Sequence, residues 1–103
     1  MALFSNIDIN ATDTLSTHTF ITNQNVIIGA LVCNTNSQNI TVDITLRGMY
    51  LVKDHPIPVE STSSVLEGKI VANEADVLTV IVNETGATAD VIFSVLQDAI
   101  AAV

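Results

Sequence analysis

Ile40-Thr-Val-Asp-Ile-Thr-Leu46 alternates apolar and polar residues without a break. A period of two belongs to a strand and not to a helix. It puts Ile40, Val42, Ile44 and Leu46 on a core face and Thr41, Asp43 and Thr45 toward water. The flanking sequence is punctuated in the same manner. Upstream lies the polar loop Asn34-Thr-Asn-Ser-Gln-Asn39, and before it Val26 to Cys33 runs almost wholly apolar. Leu3 to Ile9 and Leu15 to Ile21 come earlier, joined by Asn10-Ala-Thr-Asp13, whose Asn and Asp side chains can bond their own backbone in a turn. Downstream, Met49 to Val52 is expected to end at Asp54-His-Pro56, because proline lacks a donor and constrains its predecessor. Ser63 to Leu66 and Lys69 to Val71 flank Glu67-Gly68 and read as a tight hairpin with Gly68 at positive φ. Val77 to Val82 and Asp90 to Gln97 complete the set, linked by Asn83-Glu-Thr-Gly-Ala-Thr88.

No helical period is sustained anywhere, and the strands recur at roughly 8 to 12 residue spacing. About eight short strands are therefore expected in an all-β fold, an antiparallel β-sandwich or jelly roll, with residues 1–103 forming a single domain. Composition agrees: Val and Ile supply 25 residues and Thr 12 more, the types that suit a pleated sheet. An antibody-type immunoglobulin sandwich is disfavoured, since the chain has one cysteine and no tryptophan.

The formal charge of -8, with only Arg47, Lys53 and Lys69 basic, leaves no patch that could neutralise a phosphate backbone. Direct nucleic-acid binding is thus not expected. An acidic membrane surface would be repelled, and no apolar run approaches the roughly 18 residues of a spanning helix. The opening Met-Ala-Leu-Phe-Ser-Asn lacks a basic n-region and a long apolar h-region, so synthesis in a cytoplasm is expected. Cys33 is alone, and its flanks Leu31 and Val32 point to a buried, inert thiol.

The search for chemistry returns little. His18 and His55 have no metal-ligand spacing, the seven serines include no Gly-x-Ser-x-Gly elbow, and the four glycines cannot form a phosphate loop. The dispersed aspartates lack a calcium-loop pattern and read as a solvated face. No enzyme activity, cofactor or metal is expected. Carbohydrate-binding sandwiches use exposed aromatic platforms, for which Tyr50 is the one weak candidate.

What does stand out is that three strands are apolar on both sides. Val91, Phe93 and Val95 oppose Ile92 and Leu96; Val26, Ile28 and Val32 oppose Ile27 and Leu31; Leu78, Val80 and Val82 oppose Val77 and Ile81. A sandwich with one solvated side does not need this, so another subunit is the economical cover for the second face. A homo-oligomer is expected. The apolar termini add to the interface candidates, which are Leu3, Phe4, Ile92, Leu96, Ile100 and Val103. Met1 to Phe4 and Ala99 to Val103 could cross to a neighbour as arms.

The order of segments resembles that of short virion structural proteins of tailed phages, marine and cyanobacterial ones especially. The matching segments are Met1 to Asn6, the Thr-rich Thr14 to Ile21, Val26 to Thr35, Ile40 to Leu46, Leu51 to Pro58 and Asp90 to Leu96. Where those proteins carry a Leu-x-x-Gly-Asp-x-Leu turn, this chain has Ala72-Asn-Glu-Ala-Asp-Val-Leu78, with Ala75 in the glycine's place. The resemblance implies a place in a virion, as a capsid decoration or cement protein contacting the major capsid protein or other virion proteins. A tail, neck or fibre-attachment adaptor is the alternative, and a glycan-binding module a more distant one.

Overall fold

A computed structural model describes residues 3–21, 24–66 and 69–97, and these are all β, with no helix among them. The strands are β1 (Leu3–Ala11), β2 (Ser16–Thr19), β3 (Gln24–Asn34), β4 (Ile40–Leu46), β5 (Met49–Ile57), β6 (Thr62–Leu66), β7 (Ile70–Asn73), β8 (Val77–Val82) and β9 (Ala89–Gln97). Every pairing is antiparallel, and most of the pairs are nested. β4 pairs with β5, β3 with both β6 and β7, β2 with β8 and β1 with β9. The chain is thus one long hairpin, folded at the β4–β5 turn and rolled up. Rolling adds the β3–β9 and β4–β8 ladders and yields two sheets, in the orders β1-β9-β3-β6 and β2-β8-β4-β5, with β7 also on β3. This is a jelly roll, within the antiparallel sandwich class that the strand pattern predicts.

The interior is made by the two inner faces. From the second sheet come Ile40, Val42, Ile44 and Leu46 of β4, with Leu78, Val80 and Val82 of β8, all essentially sealed from solvent. Phe93, Val91 and Val95 of β9 face them from the first sheet, with Ile27 and Val32 of β3. Both inner faces supply interdigitating side chains of a shared core, as in packed sheets generally.

Four local expectations need correction. In β3 the register against β9 shifts between Ile27 and Gly29, so Ile28 is an extra residue. Past this bulge the alternation changes phase, and Ile27 and Val32 both point inward while Val26, Ile28 and Leu31 point outward. Secondly, β5 continues through Asp54-His-Pro56 to Ile57. It is an edge strand, where a residue without an N–H is tolerated, and a bulge with Asp54 at φ 51 takes up the mismatch. Thirdly, β6 and β7 do not pair as a hairpin. Both run antiparallel to β3, one against Ala30 to Cys33 and the other against Gln24 to Ile27, so they follow each other along its edge. The proposed Glu67-Gly68 turn itself lies outside the described residues. Lastly, Asp43 is buried despite its outward position. The β5 bulge reaches it: the Asp54 N–H donates to Asp43 Oδ1 at 2.7 Å and Asn83 Nδ2 donates to the same oxygen at 3.1 Å.

Two polar anchors fix the loops. Buried Asn34 ends β3, its Nδ2 within reach of the carbonyls of Gln38, Ile57 and Pro58 at 2.8, 3.0 and 3.2 Å. Its Oδ1 accepts from the Asn36 N–H at 2.9 Å. One side chain thereby ties the 35–39 loop to the end of β5. At the β7–β8 turn, Ala75 sits at φ 75, the conformation a glycine would take without strain. The turn is held there by the Ala75 N–H on Phe20 O at 2.8 Å and by Asp76, whose Oδ2 accepts from the Asn73 N–H at 2.7 Å and from Arg47. The Asn73 N–H, then Arg47, hold the Asp76 carboxyl below its ordinary range. The contribution of this carboxylate to stability is present above its unfolded pKa and lost as pH falls through the folded one.

Ala75→Gly should raise stability by about 1 kcal/mol, because a positive φ costs alanine more than the extra backbone freedom costs glycine. Urea unfolding would show a higher midpoint at unchanged slope. Asn34→Ala should lower stability by about 2 kcal/mol, since it strands buried carbonyls as well as removing hydrogen bonds.

Candidate protein-interaction face

The strand registers arrange the outer side of the first sheet into rows. One row runs Phe4, Leu96, Val26, Val71 across β1, β9, β3 and β7. The next holds Asn6 and Ser94 beside the bulged Ile28–Gly29 pair. The third is Asp8, Ile92, Leu31 and Ser64. At ~4.8 Å per strand and ~3.3 Å per residue, these three rows span about 14 by 13 Å. Phe4 is 78% exposed, Leu31 48%, Val71 47% and Ile92 41%. Among the strand residues charge is confined to one end, where Asp8 and, one row on, Asp90 lie, the latter within 3.3 Å of Asn10 Nδ2. No strand residue of this face is basic.

The other outer face differs in kind. Thr17, Thr79, Thr45 and Tyr50 line up across β2, β8, β4 and β5, a row of hydroxyls suited to water. Val77 and Ile81 interrupt it only singly. Of the two-sided strands, then, β3 and β9 combine into an apolar surface while β8 does not. Scattered apolar residues need no partner, whereas a contiguous exposed set marks a contact surface.

Among the sequence-derived candidates, Phe4 and Leu96 are directly paired on this face and Ile92 lies two rows away on β9. Leu3 takes part through its backbone, opposite Gln97, and its side chain lies outside the described set. Ile100 and Val103 lie outside the described residues. Val26, Leu31 and Val71 were not among the candidates. Leu31 is turned outward by the β3 bulge, and partly buried Val26 and exposed Val71 form one row because β7 extends the sheet, neither of which alternation reveals. Cys33, on the outer side of β3, is partly exposed rather than buried.

Polar groups elsewhere are engaged structurally. Glu84 Oε1 accepts the Thr41 N–H at 2.7 Å, and Asp13 Oδ2 accepts the Gly86 N–H at 2.8 Å, so these carboxylates cap backbone. No group of three His, Cys, Asp or Glu among the described residues is placed to hold a metal ion. Tyr50 is exposed, but Lys53 Nζ lies 4.7 Å from its ring centroid and occupies a face that a sugar would need. No protein-family model and no curated protein matches the chain.

Leu31→Asp should leave stability within about 1 kcal/mol, as an outward substitution, yet weaken binding of an apolar reporter dye to the folded protein. Val32→Asp, one residue along and pointing inward, should prevent folding, because it buries an unpaired charge. Chemical denaturation and dye fluorescence of the two variants distinguish the two faces of β3.

Proposed function

We propose that this protein is a structural component of a tailed-phage particle, a decoration or cement protein that docks its β1-β9-β3 outer face on a neighbouring shell subunit. The observation that carries the docking half of the reading is the apolar face, with few charges, that the described residues leave uncovered. The virion half rests on the segment resemblance. The jelly roll is compatible with it, but shell proteins, lectins and cupins all use that architecture, so the fold alone does not choose among them. A lectin reading lacks an open aromatic platform, and a cupin reading lacks a histidine cluster.

The binding chemistry follows from composition. With three basic residues against 11 acidic ones, ion pairs can contribute little to a large interface, and apolar packing must dominate. Attachment to particles should survive about 1 M NaCl, where the Debye length is about 3 Å. Quantifying the protein on salt-washed particles tests this, and release by salt would favour electrostatic docking on a basic partner. Leu31→Asp should abolish incorporation while leaving the isolated domain folded.

A further inference from the structure

The jelly roll leaves several strand edges open, and most are blocked. β5 carries Lys53, Pro56 and a bulge at Asp54, three devices that prevent another strand from adding. β2 has four residues, and β6 and β7 have five and four in separate pieces. β1 has none of these protections. It is nine residues long, contains no proline, lysine or positive φ, and pairs with β9 residue for residue without a shift. Its other edge is unpaired among the described residues. A depression of about 300 Å³ lies along Ser5 to Asp8 and is lined as well by His18, Phe20 and Ile21, while one of about 400 Å³ lies over the β1–β9 ladder, along Asp8 to Asn10 and Asp90 to Ile92.

We propose that this edge is a strand-addition site whose occupant is β1 of a second copy, antiparallel and centred on Ile7. The register is set by three constraints. Side chains must keep their faces, so only pairings that put odd-numbered residues opposite odd-numbered ones are allowed. Centring on Ile7 pairs Leu3 with the partner's Ala11 and uses all nine residues, more than any other allowed register. It also sets Asn6 opposite the partner's Asp8, twice by symmetry, so that an amide donor meets a carboxylate. Centring on Asp8 would set the two aspartates against each other, a destabilising contact. The sequence Leu-Phe-Ser-Asn-Ile-Asp-Ile-Asn-Ala is self-complementary in this sense, as a two-fold interface requires. The inner-face residues Ser5, Ile7 and Ile9 then run continuously across the two-fold, and the two apolar outer faces join on one side. The proposal concerns an edge, not the docking face, and stands whether or not that face binds a virion.

Sedimentation velocity on the purified full chain tests it. The wild type should be a dimer at tens of micromolar. Asn6→Asp, an exposed change on the outer side of β1, should weaken the dimer about tenfold by opposing two pairs of aspartates. The double variant Asn6→Asp with Asp8→Asn exchanges the partners and should restore wild-type affinity, which a merely destabilising effect on the fold would not do. A monomeric wild type at 100 µM or more overturns the proposal. So does a dimer indifferent to Asn6→Asp, and so does a dimer lost on Leu31→Asp alone, which would assign self-association to the outer face.

Discussion

The ladder between β3 and β9 has one residue too many on the β3 side, and the interior depends on it. Ile27 and Val32 are five residues apart, an odd separation that regular alternation would send to opposite faces. The extra residue at Ile28 lets both reach the core opposite Val95 and Val91. It also brings Asn34 inward at the far end, where the side chain ties the 35–39 loop to β5. Among the described strands of its sheet β3 alone pairs with three others, so its phase sets that of β9, β6 and β7. With the phase fixed, the outward set Val26, Ile28 and Leu31 follows, and with it the apolar outer face.

Much of this fold was legible in the sequence because strand formation here is driven by local alternation. β4 and β9 could be read residue by residue, and their inner faces are those the pattern gives. β3 could not. A run apolar on both sides contains no phase information, and a bulge within it leaves no mark in the residue types. β5 runs past its sequence-expected end for the opposite reason, since Pro56 is a strong local signal that an edge position overrides. The same holds for Asp43, whose burial comes from a bulge eleven positions away in sequence. Local signals carried the strands and their inner faces, and tertiary context decided the exceptions.

The interaction surface was legible in kind more than in membership. That β9 is apolar on both sides pointed to Ile92 and Leu96, and both lie on the uncovered face. That β8 is apolar on both sides pointed to a second such surface, which the fold does not build. The difference lies in the neighbours. β9 sits between β1 and β3, and its outward residues meet Phe4, Val26 and Leu31. β8 sits between β2 and β4, whose outward residues are threonines and Asp43. A surface is a property of rows across strands, and rows exist only once the pairing is known.

Charge then constrains how such surfaces can be used. Each copy carries a formal charge of -8, so two approaching copies repel at long range. The proposed strand-edge contact would bring one carboxylate per copy, opposite an amide, and the apolar face keeps Asp8 and Asp90 toward one end. Short-range attraction is therefore apolar and backbone-directed, while the opposing term is long-range and electrostatic. Salt screens only the opposing term, with a Debye length of about 8 Å at 0.15 M and about 3 Å at 1 M. Self-association of this chain should accordingly tighten as ionic strength rises, and a dissociation constant measured across that range would show it. A protein assembled through ion pairs would do the opposite. The sign of the salt dependence thus reports which forces the chain uses to meet its neighbours, independently of what those neighbours are.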